Sequence, residues 1–422
     1  MKHKKYSPIQ ISQIRVKTVI TVFFVVLLCT CIDPYSPNLN AYESLLVVEG
    51  LITNEKVPYE IKLSRTVAGV DSYPERVSDA IVSISVGSGN KTNLNYFGGG
   101  IYKTDSTVFT GVVGKTYILN IVTHDGKEYK SDPCVMLPVP EIDSLYYEKD
   151  VGFTNNQTES NEGISIYLDS KKGNEINMNL RWEYEETWKF ALPNPKRYNY
   201  INESLITLIS NVKTFCWKQQ KSSEILTHSI AAGQTNIIKK EPICFIASAL
   251  SARLSIQYSI LVKQYSISKK ESEFWANLKK VNEGGSDIFG SQPFPVISNI
   301  SNIHNPDEPV LGYFQVSAVT QKRKYITFKE SIVKLGLPLY HYPPSCALIE
   351  SSPADYASQF GPKPTFDELY QMWTANHYYN FIEPIYDPQT WKLSKLVFSA
   401  VSCSDCDLSE TINKPDFWID LN

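Results

Sequence analysis

Tyr59-Glu60-Ile61-Lys62-Leu63-Ser64 alternates apolar with polar side chains, Ser83-Ile84-Ser85-Val86 repeats the pattern, and Tyr117 to Val122 adds a third run. A period of two is that of a strand with one face buried and one wet, and it excludes a helix over those residues. Turn chemistry separates the runs: Gly87-Ser88-Gly89-Asn90, Gly98-Gly99-Gly100 and Asp125-Gly126, the last a strong hairpin signal. Composition agrees, since Tyr 26, Phe 18 and Trp 7 against Met 4 suit strands better than helices. Short strands with closely spaced turns predict an Ig-like or transthyretin-like sandwich of about seven strands, placed at residues 44–138. Leu137-Pro138-Val139-Pro140 then reads as a stiff hinge, because proline fixes φ.

The 422 residues are roughly two to three domains' worth, and residues 139–422 read as a larger β-rich domain. Ile164 to Leu168 and Met178 to Glu185 alternate, the second with Met178, Leu180, Trp182 and Tyr184 on a core face. Ile256 to Val262, Gly312 to Val319 and Tyr325 to Phe328 read similarly. Two helices are expected to interrupt the strands. Ser268-Lys269-Lys270-Glu271 has the form of a capping box, followed by Phe274, Trp275, Leu278 and Val281, which predicts a helix near 268–283. Thr365-Phe366-Asp367-Glu368 opens the second, near 365–376, with Leu369, Met372 and Trp373 on its inner stripe. Both stripes read as packing faces. The fold class is therefore mainly β, a sandwich followed by a β-rich domain with two inserted helices.

The N-terminus reads as an address. Lys2, Lys4, Lys5, Arg15 and Lys17 precede the apolar run Thr18 to Thr30, which is shorter than the ~20 residues of a spanning helix, so residues 1–30 are expected to be an export signal. The run ends in Leu28-Cys29-Thr30-Cys31, which resembles a bacterial lipobox, with Cys31 as the residue to be acylated because Thr30 is small and Leu28 stands three positions before it. Acyl chains would anchor the protein without a span, and the polar stretch 31–43 would be a tether. Without residues 1–30, the chain's 41 basic and 44 acidic residues become 36 and 44, a net charge of −8. With no Lys/Arg stripe, that balance argues against nucleic acid as a partner.

Beyond Cys31 lie Cys134, Cys216, Cys244, Cys346, Cys403 and Cys406, an even set that suggests disulfides in an oxidising compartment. Cys216 and Cys244 flank an expected hairpin and form the first candidate pair. Cys346 with Cys403 or with Cys406 is the second. Cys403-Ser404-Asp405-Cys406 lacks the following His of a haem site, and it lacks a second ligand pair at zinc spacing. No cofactor is therefore expected. The histidines are widely separated, and no G-x-S-x-G, P-loop or G-x-G-x-x-G occurs. Glu185-Glu186 and Asp307-Glu308 read as a solvated strand edge and a loop. Tyr340, Tyr342, Tyr378 and Tyr379, in Pro- or His-flanked segments, are the candidate interface residues.

Leu46-Val47-Val48-Glu49-Gly50-Leu51-Ile52-Thr53, Ile61 to Thr66 and Pro138 to Leu145 resemble a family of Bacteroidota envelope lipoproteins catalogued as domain of unknown function four-two-four-nine. Arg181 to Trp188, Cys216-Trp217, Phe274-Trp275, Pro293, Asn299-Ile300, Val310 to Phe314 and Lys414 to Trp418 agree with the same family. The resemblance carries no catalytic residue. It implies an outer-membrane lipoprotein accessory to a TonB-dependent transporter, binding that transporter and its nutrient substrate. A surface hydrolase or glycan-active enzyme and a structural adhesin are the alternatives.

Overall fold

The computed structural model describes residues 44–67, 73–87, 89, 91–153, 160–170, 179–229, 237–284, 296–406 and 412–421. The expected export signal, Cys31, the expected tether, Ser88, Asn90, Met178 and Pro293 lie outside the described residues. Residues 45–65 and 75–422 form one compact unit, and every element below belongs to it. The protein is mainly β, with few helices.

The alternation over 59–64 becomes the strand Glu60–Arg65, with Ile61 and Leu63 buried and Glu60 and Lys62 exposed. It pairs antiparallel with Leu46–Ile52 and Ile101–Lys103. A second sheet carries Ile81–Val86, Thr116–Val122 and Glu128–Ser131. The inner faces meet in a core that includes Leu46, Val48, Leu63, Ile84, Tyr102 and Leu119. Both sheets are extended by strands from much later in the chain. Ile300–Asn302 pairs with Glu128–Ser131, and Leu311–Val316 runs parallel to Leu46–Ile52. Asn299 holds this return in place, its Oδ1 accepting from Phe314 N–H at 2.9 Å and its Nδ2 donating to Phe314 C=O at 2.8 Å. Gly312 makes the parallel pairing sterically feasible. Its φ is +84°, and a Cβ there would stand 2.0 Å from Val48 O.

A second sandwich follows. One sheet holds Ile142–Phe153, Ser160–Ser170 and Ile238–Ala247, and the other centres on Asn179–Ala191 and Gln257–Ile267, flanked by Phe215–Lys221 and Val319–Thr327. Between them Ile164, Ile166, Leu180, Trp182, Tyr258 and Ile260 form part of a second core. The proline segment between the sandwiches is fastened to the second: Ser266 Oγ donates to Leu137 C=O at 2.5 Å and Gln264 Nε2 to Pro140 C=O at 2.7 Å. Val139 packs against both cores. The expected hinge is thus a sewn strap.

A small C-terminal lobe completes the unit. Its sheet of Ile349–Ser351, Leu393–Ala400 and Tyr379–Tyr386 encloses Leu369, Phe381, Leu396 and Phe398. Both expected helices form, at Lys269–Gly284 and Phe366–Thr374. Thr365 and Glu368 make a reciprocal capping box. At the other helix Ser268 Oγ accepts from Glu271 N–H at 3.1 Å, while the Glu271 carboxylate accepts instead from Trp275 Nε1 at 3.3 Å. Met372, expected on an inner stripe, is 49% exposed.

Two disulfides join Cys216 to Cys406 and Cys346 to Cys403. The pairing of Cys216 with Cys244 does not occur, and Cys244 and Cys134 carry free thiols. The expected hairpin between them is absent for a topological reason. After Phe215–Lys221 the strand Leu226–Ser229 returns to the same partner, Asn179–Ala191, and the chain then crosses to the opposite sheet. Cys216 and Cys244 therefore stand on different sheets. Cys346 takes Cys403, one of its two expected partners.

Candidate functional site

The strand Asn179–Ala191 sends Leu180 and Trp182 into the core and therefore turns Arg181 and Glu183 to the other face. Its neighbour Gln257–Ile267 is in register with Arg181 opposite Tyr265 and Glu183 opposite Lys263, so these four side chains share that face. In front of them lies a cleft of about 880 Å³. Its other walls are Glu49 to Leu51, Thr53, Glu55, Val57 to Tyr59 and Leu311 to Tyr313 of the N-terminal sandwich, and Phe274, Trp275, Leu278 and Val281 of the helix Lys269–Gly284.

Arg181 anchors the cleft floor. Its Nη1 donates to Glu183 Oε1 at 2.6 Å and its Nη2 to Gln315 Oε1 at 3.0 Å, linking the two sandwiches. The guanidinium lies over the rings of Tyr265, at 4.9 Å, and Trp275, at 4.5 Å, a favourable placement for a weakly hydrated planar cation. Tyr265 donates its hydroxyl to Glu183 Oε2 at 3.1 Å, and burial together with that carboxylate pushes its pKa up. Lys263 Nζ meets Glu55 at 3.2 Å, a second link between the sandwiches.

A smaller cavity of about 480 Å³, which shares Tyr313 with the cleft, is lined by Asp132, Cys134, Glu271, Asn299 and Tyr313. Burial pushes the Glu271 carboxyl up to about 8 against the pull of Arg181. Burial likewise pushes the Cys134 thiol up to about 12, so it is a neutral thiol near pH 7 and not a ready nucleophile. A further buried cluster lies on the second sandwich. Glu186 is 3% exposed and not solvated, because Tyr258 donates to it at 2.8 Å and Arg253 pairs with it at 3.4 Å. Glu308 is likewise held by Tyr129, Lys127 and Asn302. Among the described residues no group of three or more His, Cys, Asp or Glu side chains is placed to hold a metal ion.

None of the expected interface tyrosines lines the cleft. Tyr378 is 71% exposed. Tyr340 and Tyr342 are partly buried with rings 5.1 Å apart, and Tyr342 donates its hydroxyl to Ala191 C=O. Tyr379 packs its ring on Trp373 at 5.2 Å, in the C-terminal core. The cleft residues Arg181, Glu183, Lys263 and Tyr265 were overlooked from sequence, although the same alternation that marks Leu180 and Trp182 as core puts them on one opposite face.

A family model described as Domain of unknown function (DUF4249) matches residues 32–323. No curated protein matches the chain.

Proposed function

The chain belongs to the DUF4249 family of domains of unknown function, and on that premise we propose that it is a lipid-anchored protein of the outer membrane that holds a small ligand in its cleft and works beside a TonB-dependent transporter. The cleft carries the reading. Its volume of about 880 Å³ lies within the ~300–1,000 Å³ of small-molecule sites, and a place between two packed bodies is where such sites recur. Its polar groups bond to one another: Arg181 to Glu183, Tyr265 to Glu183, Lys263 to Glu55. Groups held in this way position a ligand more readily than they exchange protons with one.

The anchor is tested at Cys31. Cys31→Ala is expected to release the protein from the membrane fraction and to abolish incorporation of a labelled fatty acid; unchanged labelling would place the lipid elsewhere. The partner is tested by mild crosslinking in intact cells followed by purification of the full chain. An outer-membrane transporter is expected to be retained, with retention reduced by Tyr378→Ala, which removes an exposed ring without touching a core. If no membrane protein is ever retained and the purified chain turns over a glycan or peptide unaided, the binding reading fails in favour of the enzyme alternative.

A further inference from the structure

Resting on the reading of the cleft as a ligand site, we propose that its ligand is an uncharged small molecule with a hydrocarbon-like body. The argument starts from the charges on the cleft floor, Arg181, Glu183, Lys263 and Glu55, which are matched within the protein. Glu183 has Arg181 at 2.6 Å, Glu55 has Lys263 at 3.2 Å and Glu60 has Lys103 at 2.8 Å. Glu49 and Lys62, of opposite sign and directly across the strand pair from one another, are both exposed. The neutral polar groups are engaged too. Gln315 accepts from Arg181 and donates to Ser317 Oγ at 3.0 Å, Tyr265 donates to Glu183, and Tyr59 donates to Thr53 C=O at 2.5 Å.

A charged ligand group on that floor would therefore have to displace an existing partner. An anion bound by the Arg181 Nη atoms would take them from Glu183 and Gln315, the remaining donor, Nε, being unpartnered but buried out of a ligand's reach, and a cation bound by Glu55 would strand Lys263. Displacing one member of a matched pair in a partly dry site leaves the other without compensation, so binding gains little and loses much. An uncharged ligand asks for no such exchange.

What the cleft does offer is apolar surface without a core to bury it. On the helix Lys269–Gly284, Phe274, Leu278 and Val281 recur at spacings of four and three and so form one stripe. Phe274 is buried, but Leu278 and Val281 are only half-buried. Leu51 and Leu311 stand among the residues of the facing wall. This stripe, read from sequence as a packing face, instead lines an open volume. A ligand body of aliphatic or ring carbon would cover it, and the charged pairs would form an internally neutral floor beneath.

The experiment uses N-phenyl-1-naphthylamine, an uncharged fluorophore that brightens in apolar sites, titrated into the purified full chain. Saturable binding is expected, and octanol is expected to displace the probe at a concentration at least tenfold lower than octanoate or octyltrimethylammonium of the same chain length. Leu278→Asp and Val281→Asn, both at half-buried positions, are each expected to weaken the probe at least tenfold while the circular dichroism melt stays in place. If octanoate or octyltrimethylammonium competes as well as octanol, the ligand class is wrong although the cleft still binds. The same holds if no probe binds but native mass spectrometry of chain isolated from membranes finds a charged small molecule. If the probe binds equally well to both variants, or if nothing binds at all, the cleft is not the site and the functional reading fails with it.

Discussion

Replacing Cys216 and Cys406 together by serine is expected to lower the stability of the protein by about 5 kcal/mol, the largest loss for any single feature of the structure. The bond joins positions 190 residues apart, and the chain-entropy estimate for a loop of that size is about 5 kcal/mol. The second bridge, Cys346 to Cys403, spans 57 residues, and the same estimate gives about 4 kcal/mol. Because Cys403 and Cys406 are three positions apart, one short segment carries both bonds, the first reaching the second sandwich at Cys216 and the second reaching Cys346 beside the C-terminal sheet. Urea titrations without reductant should show the midpoint falling in both double variants, more in the first, and reduction of the native protein should reproduce the combined fall. Cys244→Ser should leave the bonding pattern intact. A non-reducing peptide map that links Cys216 to Cys244 would sink the assignment.

The second large effect is a pH dependence at Glu271. Its folded-state carboxyl titrates at about 8 against an ordinary 4.5, so the native protein retains a proton that the unfolded chain gives up. A raised folded pKa contributes stability that is fully present below about 4.5 and is lost as pH rises through about 8. At about 1.4 kcal/mol per pH unit the whole window is worth up to about 5 kcal/mol. Two titratable neighbours of the carboxyl do not blur the window. Cys134, pushed up to about 12, and Tyr313, raised by burial, both stay neutral across it. Unfolding of the native protein and of Glu271→Gln should be compared from pH 5 to pH 8. The native protein is expected to lose stability across that range relative to the variant, and parallel profiles would show that the carboxyl is ionised in the fold.

Local periodicity made the strands and two of the helices legible, because alternation, caps and turn residues act over a few positions. Ile61, Leu63, Leu180 and Trp182 were readable as core for that reason, and so was the cap at Thr365. The helix Pro353–Phe360 was missed although its signature was present: Ser352 accepts from Asp355 N–H at 3.1 Å with proline at the first helical position. Partner choice was not legible. Nothing in Leu311 to Val316 specifies that it will lie parallel to Leu46 to Ile52, since apolar strands of one period fit many edges. The cleft followed from the same gap. Arg181 and Glu183 look like a solvent face on their own strand, and only the approach of Gln315 from the other sandwich turns that face inward. Glu186 was misread for a similar reason, because the residues that bury it, Tyr258 and Arg253, lie more than sixty positions away.

The parallel pairing of Val47 with Leu311 joins residues 264 positions apart, and this sets an order of events during synthesis. At roughly 5–20 residues per second, the strand Leu46–Ile52 precedes its partner by roughly 15–50 s. Throughout that interval its outer edge presents unpaired backbone groups on the sequence Leu-Val-Val-Glu-Gly-Leu-Ile, an apolar segment of the kind that pairs indiscriminately with other chains. A nascent chain of this architecture therefore leaves its first sandwich unfinished while the second is still being made, and it depends on being kept apart from its neighbours until residue 316 has arrived.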